Sequence, residues 1–137
     1  MSDISAAIRA KLVAESSVTD EVGTRIYSDH LPQNAAMPAI TYRVISEIAN
    51  EDLAGSSGLD EARIQVDCFG STRSQANSVQ RLVRSALKGF RGVVSSVYVK
   101  TINQSTGQQH LTDRPEHGTD QRRYITSQDF SVFYQTD

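Results

Sequence analysis

The stretch ARIQVDCFGSTRSQANSVQRLVRSALKGF, Ala62 to Phe90, changes its hydrophobic period once, and that change decides the fold class. Ala62, Ile64, Val66 and Cys68 alternate with Arg63, Gln65, Asp67 and Phe69, the period of two that marks a strand with one buried face. Gly70-Ser71-Thr72 breaks the strand, and Thr72 with Gln75 three residues on has the form of a capping box. Ala76, Val79, Leu82, Val83, Ala86 and Leu87 then keep helical phase as far as Gly89, a natural residue for the left-handed position after a helix. Phe90 can close that end hydrophobically. A strand that runs straight into an amphipathic helix calls for a sheet with helices laid on its apolar face.

Reading upstream, Asn50 to Asp60 (NEDLAGSSGLD) is dense in Gly, Ser and Asp and reads as a loop or mobile hairpin tip. Ala39 to Glu47 is a strand, with Ile40, Tyr42 and Val44 on one face and Thr41, Arg43 and Ile45 on the other. Pro32 and Pro38 bracket a polar connection, and Arg25-Ile26-Tyr27 reads as extended. Ile4, Ala7, Ile8 and Leu12 form one stripe of a helix that Ser2 or Asp3 can cap and that Ser16-Ser17 ends. Val18 to Val22 has room for one further helical turn before Gly23. Downstream, Val93 to Ile102 reads as one β-branched strand and Asn103 to Thr119 as a 17-residue polar loop. Arg123 to Tyr134 is a long strand with Tyr124, Phe130, Val132 and Tyr134 on one face. The expected fold is α+β in the order α-β-β-α-β-β: a mostly antiparallel sheet of about four strands with two helices packed on one face.

The 137 residues suit a single domain spanning 1–137. Hydrophobic residues at 38% and charged residues at 22% are a globular balance, and with no Trp the core must rest on Ile, Val, Leu and Ala. A net charge of -2 argues against bulk nucleic-acid binding, which needs a basic field to displace counterions. No apolar run approaches the roughly 20 residues of a membrane helix, and Met1 to Lys11 lacks the layout of a secretion leader. Cys68 is the one cysteine, so no intramolecular disulfide forms, and synthesis in the cytosol is expected.

Nothing catalytic stands out. Cys68 lies in phase with Ile64 and Val66, so it reads as an inert core thiol rather than a nucleophile. His110, Asp113, Glu116 and His117 carry the residue types of a metal site, but a polar loop would hold them on no rigid element. Gly70 to Ser74 precedes a helix N-terminus, where amides can hold an anion, yet the Gly-Lys-Ser/Thr ending of a phosphate loop is missing. Glu47, Glu51, Asp52, Asp60 and Glu61 cluster around the first loop and read as a solvated acidic hairpin. Arg122 and Arg123, consecutive on a strand, belong to opposite faces and make no single phosphate clamp.

Several segments together resemble the tail-completion (tail terminator, or tail-to-head joining) proteins of long-tailed bacteriophages. Val18 to Tyr27 is similar to that family's short apolar turn followed by Gly-x-Arg-Ile-Tyr, here Gly23 to Tyr27. Leu31-Pro32-Gln33 and Pro38-Ala39-Ile40-Thr41-Tyr42 resemble two further segments, and Asp67-Cys68-Phe69 closes a strand in the family's manner. The helix from Arg73 to Leu87, Gly92-Val93 and the closing Phe130 to Tyr134 complete the likeness, which rests on order and spacing. Two stretches fall outside it: Asn103 to Thr119, and the tip at Asn50 to Asp60.

The resemblance implies a non-enzymatic virion protein, with no cofactor and no metal, that forms a homo-oligomeric ring, a hexamer. Such a ring caps the tail tube protein at the neck and meets a head-completion or connector protein, while DNA passes through without sequence-specific contact and no membrane is involved. Partner contacts are expected in the two divergent loops, at Glu51, Asp52, Leu53 and Asp60 and at His110, Asp113, Arg114, His117 and Arg122. The alternatives are a connector subunit of the neck and, from another class, a small phosphate-binding module or enzyme built on Ser71, Thr72, Arg73 and the acidic loop around Asn50 to Asp60.

Overall fold

Thr72 starts the long helix as its spacing requires. Its hydroxyl accepts the amide of Gln75 at 3.0 Å, while the Gln75 side chain accepts the amide of Ser71 at 2.7 Å. In the computed structural model, which describes residues 3–32, 35–52, 55–105, 107–113 and 123–136, this helix is the third of three. The elements are α1 (Ile4–Ala14), α2 (Ser16–Val22), β1 (Ile26–Ser28), β2 (Ala39–Asp52), β3 (Gly55–Gly70), α3 (Arg73–Leu87), β4 (Gly92–Val94), β5 (Val97–Gln104), β6 (Gln109–Asp113) and β7 (Arg123–Thr136).

The mixed α+β class agrees with the sequence, but the element count is richer than two helices and about four strands. The strands form a seven-stranded sheet in the order β1-β2-β3-β7-β5-β4, with β6 also paired to β7. All pairings are antiparallel except that of β1 with β2, which is parallel. Asp3 caps α1 by accepting the amide of Ser5 at 2.9 Å. The first helical region breaks at Glu15, whose backbone is extended, and Ser16-Ser17 opens α2 rather than ending the pattern. Gly23 follows α2 at φ 60, and Gly89 follows α3 at φ 77 with its amide donating to the Ile102 carbonyl at 2.8 Å.

The helices lie on one face of the sheet. Ile4, Ala7, Ile8 and Leu12 of α1, Val18 and Val22 of α2, and Ala76, Val79, Val83 and Leu87 of α3 are buried there. They meet Ile40 and Tyr42 of β2, Ala62, Ile64, Val66 and Cys68 of β3, Val97, Val99 and Ile102 of β5, and Phe130, Val132 and Tyr134 of β7. Burial holds the Cys68 thiol well above its ordinary pKa, with the Asp67 charge adding to the effect. The thiol therefore stays protonated, as a core residue should. Gln80 of α3 is wholly buried as well, and its side-chain amide donates to the carbonyls of Val66 (3.2 Å) and Thr126 (2.9 Å), clipping helix to sheet.

Among the described residues the opposite face carries no helix. Arg63 pairs with Asp129 at 3.2 Å, and Arg43 donates to Gln65 at 3.0 Å. These cross-strand contacts match the polar residues in the alternation of β3 and β7. Ile45 is the extra residue of a bulge, because Val44 pairs with Ile64 and Ser46 with Arg63.

Gly70 is where β3 hands over to α3, and there is no room there for a side chain. A Cβ would stand 2.7 Å from the backbone nitrogen of Ala76. Gly70→Ala is accordingly expected to lower stability by roughly 1–3 kcal/mol, the usual cost of overpacking, read as a lower midpoint in urea.

Candidate assembly surfaces

Two segments that read as loops contain strand: the first at all of its described residues, the second in part. β2 and β3 continue pairing through Ala49↔Asp60, Asn50↔Leu59, Glu51↔Ser56 and Asp52↔Gly55. Gly, Ser and Asp are poor strand formers, and the ladder across the hairpin overrides their propensity. Glu51, Asp52 and Asp60 therefore stand on a two-stranded ribbon rather than in a loop, and Leu53 lies outside the described residues. β7 pairs with β3 only as far as Asp60↔Tyr134, so the ribbon continues beyond the third strand.

The second segment, 103–119, is likewise not one loop. Its Gln109–Asp113 portion is β6, paired with β7 from Gln109↔Ser127 to Asp113↔Arg123. β5 pairs with the other half of β7, from Val97↔Thr136 to Gln104↔Phe130. β5 and β6 thus behave as one interrupted strand along β7. Likewise, Val93 to Ile102 is not a single strand: it turns at Ser95 and Ser96, at φ 49 and 66, into the β4–β5 hairpin. His110 and Asp113 occupy β6, three residues apart and so at positions on opposite faces of the sheet, which corrects their reading as one loop-borne cluster. Arg114, His117 and Arg122 lie outside the described residues.

What fixes β6 is Arg73, at the first turn of α3. Its guanidinium donates to the Leu111 carbonyl at 2.7 Å and the Ile125 carbonyl at 2.8 Å, and it lies 5.3 Å from the centroid of the Tyr124 ring. His110 Nδ1 is 3.5 Å away. Charge-assisted bonds to two neighbouring strands use up the fork that a phosphate would need. With Thr72 and Ser71 occupied by the cap, the candidate phosphate-binding residues hold the protein together instead.

The two ribbons leave opposite ends of the sheet. β3 runs 16 residues, about 50 Å at the usual strand rise, from Gly55 beside the β2 turn to Gly70. Gly70 pairs with Tyr124 at the β6–β7 end, whereas Asp60 pairs with Tyr134 at the β2–β3 end. Charge differs across the sheet at the Tyr134 end of β7. At the β2–β3 end the Tyr134 hydroxyl is pushed up to about 12, first by burial and then by the charges of Glu47, Asp60 and Asp3. On the far lateral edge the Tyr98 hydroxyl is lowered, first by a hydrogen bond and charge from Arg91 and then by the charge of Lys100. Arg91 Nε donates to that hydroxyl at 3.3 Å, and Lys100 Nζ lies 4.5 Å from the ring centroid. Among the described residues no group of three or more His, Cys, Asp or Glu is arranged to hold a metal ion, and no helix is long and apolar enough to cross a membrane.

The sequence profile of the family described as "Tail completion protein gp17" matches residues 6–134. The chain belongs to this family. The tail completion match runs from α1 to β7 and takes in both ribbons, so these are parts of the family's domain rather than appendages. A solved chain of the structure described as "Virion of native gene transfer agent (GTA) particle" superposes with a TM-score of 0.63. It is 18% identical over 94% of this chain and 92% of its own, and at that identity the likeness speaks for the tail completion fold alone. A second solved chain, 15% identical over 94% of this chain and 92% of its own, has a TM-score of 0.48 and carries no argument. No curated protein matches the chain.

Proposed function

We propose that this tail completion protein is a structural virion subunit that forms a ring, a hexamer, capping the tail tube and joining it to the head. The observation that carries the reading is the pairing of full-length family membership with two ribbons at opposite ends of one sheet. A protein that bridges two partners needs a contact surface towards each. The β2–β3 ribbon with Glu51, Asp52 and Asp60 is assigned to one partner. The other end, with His110 and Asp113 on β6, is assigned to the second, and Leu53, Arg114, His117 and Arg122, which lie outside the described residues, are proposed as further contacts. The tail tube protein and a head-completion or connector protein are these two partners, met at the neck during assembly in the host cytoplasm. DNA passes through the ring without sequence-specific contact, and the role asks for neither cofactor nor catalytic residue. The likeness to a chain of a gene transfer agent virion supports the same setting.

A ribbon beyond its third strand is marginal alone, so covering it in an assembly is physically reasonable. Ring closure would likewise cover the open lateral edges of the sheet with neighbouring copies.

Negative-stain imaging of the purified protein, alone and mixed with its cognate tail tubes, tests the reading. Rings, or caps restricted to one tube end, are the expected result. Binding only to connector particles would move the protein to the neck side, and binding to neither would overturn the reading. Replacing Asp52 and Leu53 together with Gly is expected to leave the thermal melt within a degree or two of wild type, since a ribbon end makes few core contacts. The same change should cut head–tail joining in an in vitro complementation assay by an order of magnitude or more.

A further inference from the structure

Charge is segregated along this chain in a way its net value of -2 hides. Residues 68–112 contain six basic side chains, Arg73, Arg81, Arg84, Lys88, Arg91 and Lys100, and no Asp or Glu. Of 14 Lys and Arg in the whole chain, this leaves eight to set against all 16 Asp and Glu. Arg73 is committed to β6, as described above. Arg81 and Arg84, three residues apart, share one stripe of α3, and Lys88 follows as the residue that caps its C-terminal end. None of them has a carboxylate partner among the described residues. Gly89 binds the Ile102 carbonyl, so the end of this stripe abuts β5, where Arg91 and Lys100 gather around Tyr98.

The register places this basic edge level with the acidic one. Gly92 pairs with Val99, Val99 with Tyr134, Tyr134 with Asp60, and Asp60 with Ala49. That row crosses the sheet from β4 to β2, about 19 Å at the usual strand spacing. Arg91 and Lys100 flank its β4–β5 end. Glu47, Glu51, Asp60 and Glu61 flank its β2–β3 end.

We infer that successive subunits of the ring meet through these two edges, the basic surface of α3, the turn after it and β5 on one copy receiving the acidic side of the β2–β3 hairpin at Glu47 and Glu61 of the next, which leaves the far end of the ribbon at Glu51 and Asp52 to the partner assigned above. The inference rests on the ring reading above. Two different patches in contact make a head-to-tail interface, which yields a ring if the rotation closes and a filament if it does not. Patches at one height along the strands relate neighbours by rotation with little rise, the condition for closure. Opposite charge at the two patches sets the order of docking and makes it salt-sensitive. Because the bulge at Ile45 interrupts the free edge of β2, side-chain charge rather than a continued ladder joins the copies.

The test uses two full-length variants. One carries Arg84→Glu, Lys88→Glu and Arg91→Glu; the other carries Glu47→Lys and Glu61→Lys. Far-UV circular dichroism checks that each is folded, and the milder Arg84→Gln, Lys88→Gln and Arg91→Gln set replaces the first variant if it is not. Sedimentation velocity and negative stain at low salt, across a concentration series and on tube ends, read assembly. Wild type is expected to form rings, and each variant alone to lose at least about tenfold in association constant. An equimolar mixture of the two reversed variants should recover rings, because the acidified surface of one accepts the basified ribbon of the other. Rings formed equally well by either variant alone would overturn this contact and leave the ring reading standing. Wild type that forms no ring in solution or on tubes would overturn the ring reading itself. Duplex-DNA binding by wild type that vanishes in the first variant while its rings persist would assign the basic surface to phosphates and overturn the inference.

Discussion

A Val79→Asp substitution is expected to abolish the fold. Val79 is 1% exposed, on the face of α3 that packs against β3 and β7. Among the described residues no Lys, Arg or His is buried in the core that would receive the new carboxylate. It must therefore either stay charged in an apolar site or take up a proton at a strongly raised pKa, and either costs several kcal/mol. Small domains hold only about 5–15 kcal/mol in total, so the helix could not stay docked. Val79→Ala removes two methyl groups without adding a charge and should cost about 2 kcal/mol, leaving a folded protein with a lower melting temperature. Far-UV circular dichroism and a thermal melt separate the two. A cooperative transition in Val79→Asp close to that of wild type would mean that water reaches this part of the helix face.

The second large effect is local. Arg73→Ala removes bonds from one guanidinium to carbonyls on β6 and β7, 38 and 52 residues away in sequence. Hydrogen bonds from charged groups contribute roughly 1.5–3 kcal/mol each, so a loss near 3 kcal/mol is expected, concentrated on β6. Amide exchange across Gln109 to Asp113 should speed up by about two orders of magnitude, while the amides of β3 keep their protection. Arg73→Lys should recover only part of this, because an ammonium lacks the planar fork that reaches both strands. Unchanged exchange on β6 would show that pairing with β7 suffices and that Arg73 is incidental.

The fate of the sequence expectations follows from where each signal resides. The part of β3 from Ala62 onward, Gly70 and α3 were readable, because alternation, cap, helical phase and the glycine stop are all local, while the Gly55–Asp60 start of β3 read as loop. The burial of Cys68 came out of the same alternation. β6 was hidden because Gln-His-Leu-Thr-Asp has one apolar residue and is held by its neighbours, not by its own propensity. The turn at Ser95-Ser96 was missed since positive φ at two positions is usually announced by Asn and Gly. Gln80 sits at a core position that a hydrophobic pattern marks as empty. The acidic residues around the first hairpin and the acid-free basic stretch 68–112 are both legible in the sequence, but not that they lie at one height. Only the register brings those two edges to one level.

The extra residue at Ile45 also bears on what an unassembled subunit can do at high concentration. A long, straight free edge invites further strands to add without limit, as in fibres, and Ile45 and Ile48 are both substantially exposed beside it. The bulge twists that edge and breaks its hydrogen-bonding repeat, so a second edge can match it over only a few residues. A free copy of this chain is thereby protected from fibrillar aggregation by a single inserted residue.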